Sequence, residues 1–112
     1  MKFILLLLAL PLMNKKCDKN KKSIPACVKQ KIDLIQKETR WNPPAEVNEY
    51  NYEGKQLYLF SSNCCDQYNS LYDIDCNIIC APSGGFTGKG DGKCNGFFEK
   101  AKHIKLIWKD PR

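Results

Sequence analysis

The hydrophobic positions of this chain change period along its length, and the changes divide it. Phe3 to Met13 (FILLLLALPLM) is an apolar run of 11 residues behind one basic residue, Lys2. From Phe3 to Leu10 it holds no polar position, so it has no amphipathic face with which to lie on a core. It is also well short of the roughly 20 apolar residues a membrane-crossing helix needs. A run of this kind has the form of an export signal core.

A helical period comes next. Ile24, Val28, Ile32 and Ile35 recur at steps of four, four and three, with Cys27 and Leu34 beside them. Lys29, Gln30, Asp33, Gln36 and Lys37 fall on the other faces, so one stripe can bury itself against a sheet. Ser23 is suited to cap this helix, and Pro25 falls in its first turn, where a missing N–H costs nothing. Asn42, Pro43 and Pro44 prevent continuation, because proline disfavours the helical region for the residue before it.

From Val47 to Phe60 the period shortens to two. VNEYNY and QLYLF flank Glu53-Gly54-Lys55, with Tyr50 and Tyr52 on one side, and read as a β-hairpin. Leu71 and Tyr72 lead into the polar turn Asp73 to Asn77 and return through Ile78 to Cys80, a second hairpin. Pro82 to Gly92 holds five glycines and reads as a loop anchored by Phe86. The final KHIKLIWK sets Ile104, Leu106 and Trp108 against Lys105, Ile107 and Lys109, as a strand would, although FFEKAK before it is helix-like. The expected fold is therefore α+β: one N-terminal helix on a small, mainly antiparallel sheet. The expected division is a signal segment over 1–16, a Lys-rich tether over 17–22 and one domain over 23–112.

Charge changes this picture little. The formal net charge is +6, but Lys2, Lys15 and Lys16 lie before Cys17, which leaves +3 for the rest of the chain. Lys19, Lys21 and Lys22 crowd just behind the signal segment, where basic residues serve as a solvated tether or a membrane-surface contact. No nucleic-acid partner is expected.

Cysteine changes it more. Seven Cys in so short a chain read as a disulfide framework in an oxidising compartment. Cys17 stands where an exported lipoprotein carries its acylated cysteine, and setting it aside leaves six to pair: Cys27, Cys64, Cys65, Cys76, Cys80 and Cys94. Asn14, Lys15 and Lys16 depart from the small residues usual before such a cysteine. Adjacent Cys64 and Cys65 are expected to bond elsewhere. In an extended segment their side chains oppose, so one would meet Cys27 and the other Cys76, Cys80 or Cys94. The spacing lacks the paired C-x-x-C of a zinc ribbon, and export removes the reducing conditions that keep thiolates available.

Other chemistry is thin. Gly88-Lys89 is followed by Gly90 where a phosphate-binding P-loop needs Ser or Thr. Asp73, Asp75 and Asn77, with Asp91, place oxygens as a calcium loop begins, but Ile78 occupies the position of the required glycine and Gly84 that of the bidentate Glu. Hairpin turns use the same residues, so no metal and no cofactor is expected. Five Tyr, five Phe and two Trp suit either a small core or a sugar or peptide groove.

The segments NCCDQYNSLYD (63 to 73), ICAPSGGFTGKGDGKC (79 to 94) and LIWKDPR (106 to 112) resemble an uncharacterised bacterial family of small exported, often lipoprotein-like proteins, a domain of unknown function. The resemblance covers residues 22 to 112. It rests on Cys64, Cys65, Asp66, Gln67, Cys80, Pro82 and Cys94, and on Gly84, Gly85, Gly88, Gly90, Asp91 and Gly92. It implies no substrate, catalytic residue or cofactor.

The expected function is a non-enzymatic exported or cell-envelope protein. It would bind an envelope or extracellular protein or glycan through the sheet face or the loop Ala81 to Lys93, with Gly84, Gly85, Phe86, Gly88, Lys89 and Asp91 as candidate contacts. Contact with a membrane would run only through a lipid on Cys17. The alternative is a secreted hydrolase or hydrolase inhibitor using Asp66, Asp91 or His103 as acid or base, although no two of these stand at a known catalytic spacing.

Overall fold

The computed structural model describes residues 23–112; the expected signal segment, the expected Lys-rich tether and Cys17 lie outside the described residues. No helix among the described residues is long and apolar enough to cross a membrane.

Helix α1 (Ala26–Gln36) forms where the period of Ile24 to Ile35 places it, and it buries Val28, Ile32 and Ile35. Each is worth roughly 1.5–3 kcal/mol when removed from water. Its cap differs from the expected one. Pro25, not Ser23, is the N-cap, and its carbonyl accepts the Lys29 N–H at 3.0 Å without any side-chain cap.

Five strands complete the fold: β1 (Glu46–Tyr52), β2 (Lys55–Phe60), β3 (Tyr68–Tyr72), β4 (Ile78–Gly84) and, after the short α2 (Phe97–Lys100), β5 (Lys102–Lys109). They make one sheet in the order β4-β3-β2-β1-β5, and every pairing is antiparallel. The first hairpin turns on Glu53 and Gly54, both at positive φ and with Tyr52 opposite Lys55, as a primed two-residue turn requires. The fold is thus α+β, as the periods predict.

Both faces of the sheet carry a core. Under α1, Val28, Ile32 and Ile35 meet Ala45, Val47, Tyr58 and Phe60. On the opposite face, Leu57 and Leu71 meet Phe97, Cys80 and Cys94, with Tyr50 and Tyr52 packed alongside. Alternation along β2 explains the division: Tyr58 and Phe60 face the helix, while Leu57 and Leu59 face the other way.

Three disulfides pair Cys27 with Cys76, Cys80 with Cys94, and Cys64 with Cys65. The last corrects the expectation that the adjacent cysteines bond elsewhere. That expectation rested on the short Cα separation of neighbours; here the two sit in a tight turn with Cys65 at φ +58° and the Cys64 carbonyl accepting the Gln67 N–H at 3.2 Å. Cys27 is meanwhile engaged by Cys76, in the turn between β3 and β4.

Three further expectations are revised. Pro82 to Gly84 belong to β4 and not to a loop, since β4 is an edge strand, where a residue without an N–H is tolerated. Phe86 does not anchor the glycine-rich segment around it; its side chain is 90% exposed. Backbone hydrogen bonds hold this segment, from Gly90 N–H to the Gly84 carbonyl and from Asp91 N–H to the Ala81 carbonyl, both 2.9 Å. In β5 the expected alternation breaks at two register shifts, so Ile107 and Trp108 both reach the helix-side core while Ile104 and Leu106 are exposed.

Candidate functional site

A groove of about 440 Å³ opens between the C-terminal half of α1 and β3. The period of α1 puts Lys31, Leu34, Ile35 and Glu38 on one wall. Alternation along β3 puts Tyr68, Ser70 and Tyr72 on the other, with Phe60 from β2 beneath. Trp41, Ser61, Ser62, Asn63 and Gln67 complete the lining. Asn63 and Gln67 flank the Cys64–Cys65 turn on either side.

The groove's two charged residues also contact its aromatic side chains. The Lys31 ammonium lies 4.3 Å from the centre of the Tyr72 ring, and the Trp41 indole N–H donates to the Glu38 carboxylate at 2.9 Å. What stays open to a ligand is aromatic and aliphatic surface, amide and hydroxyl: Tyr68 is 51% exposed and Leu34 60%. A volume of this size, with aromatic walls and a few polar groups, lies within the roughly 300–1,000 Å³ of small-ligand sites.

The glycine-rich segment meets this groove at its rim. Gly85 donates its N–H to the Gln67 carbonyl at 2.9 Å, and a Cβ built at Gly85 would enter the Tyr68 ring. Gly90 is as tightly placed, because a Cβ there would press into the Ala81 carbonyl oxygen. Gly84 completes β4 at φ +79°, and Gly88 and Lys89 lie exposed beyond it. The Asp91 carboxylate accepts the Lys93 N–H at 3.0 Å.

A family model for a domain of unknown function, DUF6970, matches residues 33–110. The chain belongs to this family. The DUF6970 match takes in all five strands, the groove's β3 wall and Cys64, Cys65, Cys76, Cys80 and Cys94, but begins after Cys27. No curated protein and no solved structure matches the chain.

On the face of the sheet away from α1, the Asn48 amide donates to Glu46 at 3.0 Å and accepts from His103 Nε2 at 2.8 Å. Glu46 and Asn48, with Asn69 and Ser83, border a smaller hollow of about 170 Å³. Asn69 is itself engaged, by the Ser62 N–H at 2.8 Å and with Ser83 Oγ at 3.0 Å. Burial, reinforced by the Glu46 carboxylate, raises the Tyr50 phenol above its ordinary pKa and keeps it neutral. Asp66 lies in the Cys64–Cys65 turn, Asp91 on the glycine-rich segment and His103 on β5.

The calcium candidates serve the second hairpin. One oxygen of Asp73 accepts the N–H groups of Asp75 and Asn77, both at 2.9 Å, and the other accepts the Asn77 amide at 3.2 Å. These donors, led by the Asn77 N–H, hold the Asp73 carboxyl below its usual pKa. No group of three or more His, Cys, Asp or Glu able to hold a metal ion occurs among the described residues.

Sequence reasoning weighs an aromatic groove but does not locate it. The signal is present in two overlaid periods, Lys31-Leu34-Ile35-Glu38 along a helix and Tyr68-Ser70-Tyr72 along a strand. Neither reveals that the two segments face each other.

Proposed function

We propose that this protein is a non-enzymatic exported or cell-envelope protein that binds a ligand in the groove between α1 and β3. The glycine-rich segment Ala81 to Lys93 extends the contact surface. The observation that carries the reading is the groove itself: aromatic side chains and the amides of Asn63 and Gln67 line it, on a helix and a sheet held by two long-range disulfides. Three disulfides suit an oxidising compartment, and the leader-like run Phe3 to Met13 supports export into one. Acylation of Cys17 would hold the domain at a membrane surface.

The test is retention of material from a cell-envelope extract on immobilised mature protein, comparing native chain, Tyr68→Ala and Leu106→Ala. Leu106 is exposed on β5, away from the groove. Loss of retained material with Tyr68→Ala alone supports the reading. Equal retention by all three proteins removes the groove as the site.

A further inference from the structure

Resting on the groove as the binding site, we infer that its ligand is a neutral oligosaccharide. Three features of the groove select this chemistry. The first is its charge: Lys31 and Glu38 are the charged residues that line it, and their opposite signs cancel, so the groove calls for no net charge on its ligand.

The second is the kind of polar group offered. Asn63 and Gln67 each present an amide that donates and accepts at once, and Ser62 and Ser70 present hydroxyls with the same double capacity. A sugar hydroxyl is likewise donor and acceptor, and a chain of sugars offers such groups along its whole edge. The exposed ring of Tyr68, backed by Gly85, supplies a flat apolar platform for the C–H face of a sugar ring.

The third is the state of the backbone. An extended peptide gains affinity by adding to an open strand edge, but β3 is paired with β4 from Tyr68 to Tyr72 and with β2 from Ser70 to Tyr72, and the Ser62 N–H beside it already donates to the Asn69 side chain. A peptide in this groove would find side-chain contacts without a ladder of main-chain hydrogen bonds. An oligosaccharide needs no such ladder.

The experiment is saturation-transfer NMR on the disulfide-bonded mature protein. The probes are cellotetraose and the β-1,4-linked tetrasaccharide of N-acetylglucosamine, with tetragalacturonate as the acidic arm and a random heptapeptide mixture as the peptide arm. The indole N–H signals of Trp41, in the groove, and Trp108, outside it, are monitored in parallel. The inference expects transfer to a neutral tetrasaccharide, a shift of the Trp41 signal with Trp108 unmoved, and about a tenfold loss of affinity in Tyr68→Ala. Binding of tetragalacturonate alone, binding of peptides alone, or no binding of any probe at millimolar concentration would overturn it. Peptide binding that moves Trp41 would leave the groove standing as a site and remove only the glycan. Absence of every probe, together with equal envelope retention by native and Tyr68→Ala protein, would remove both.

Discussion

The ring of Tyr68 rests against Gly85 so closely that a single methyl group there would overlap it. Gly85 is also buried and sits at φ +78°, a conformation that strains any L side chain. Gly85→Ala should therefore lower stability by roughly 1–3 kcal/mol and displace Tyr68 from the groove rim. Gly88→Ala, at φ +80° but with nothing near its Cβ position, should cost only the backbone strain, about 1 kcal/mol. Urea unfolding of the two variants reads the difference; equal losses would mean that Tyr68 and Gly85 are not in contact.

The three disulfides should differ sharply in what they contribute. Cys27–Cys76 closes a separation of 49 residues and Cys80–Cys94 one of 14, which in the loop-entropy model correspond to about 4 and about 3 kcal/mol. Cys64 and Cys65 are neighbours, so their bond removes almost no freedom from the unfolded chain. Thermal unfolding of paired Cys→Ala variants should rank Cys27/Cys76 first, Cys80/Cys94 next and Cys64/Cys65 far behind. The last pair lies between Asn63 and Gln67, which line the groove, so its removal should affect binding more than stability.

The range of each interaction decides how much of the structure is legible in the sequence. The helix and the hairpins are written in local periods: Val28-Ile32-Ile35 for α1, and alternation about Gly54 for β1 and β2. The partner of Cys27 is not, because pairing depends on where the turn carrying Cys76 lies relative to α1. The exposure of Phe86 escapes sequence reasoning for a similar reason. Hydrophobicity favours burial, yet the backbone bonds about Gly84, Gly88 and Gly90 close the segment without it. The groove lies beyond sequence reasoning because its walls come from segments about 40 residues apart, and neither wall carries a motif.

Phe86 and Phe97, alike in sequence and opposite in burial, provide a direct check. Phe86, 90% exposed, should tolerate Phe86→Ser within about 0.5 kcal/mol, as surface changes generally do. Phe97, 1% exposed against Tyr50 and Tyr52, should cost about 3–5 kcal/mol as Phe97→Ala. Thermal melts of the two variants measure it.

Asp110 and Arg112 form a latch whose strength depends on pH. Asp110 is buried and receives the Arg112 guanidinium at 2.7 Å, while Arg112 also donates to the Glu38 carbonyl at 2.9 Å, past the C-terminal end of α1. The hydrogen bonds from the Arg112 side chain hold the Asp110 carboxyl below the usual carboxylate range. A depressed folded-state pKa contributes stability that is fully present above the unfolded value, about 3.9 for Asp, and is lost as pH falls through the folded value. Native protein should therefore exceed Asp110→Asn in stability at pH 7, and the gap should shrink below about pH 4 as Asp110 takes up its proton. A gap that stays constant down to about pH 2 would show that the latch carries no charge-dependent stability.

The most direct test of the central claim is an amide chemical-shift map of the isotope-labelled, disulfide-bonded protein titrated with the material its envelope extract yields. A ligand held between α1 and β3 should move the amides of Lys31 to Trp41 and Ser61 to Tyr72, with smaller effects at Gly85 and Phe86. Shifts confined to Asn48, His103 and Leu106 on the opposite face, or no shifts at saturation, would contradict it.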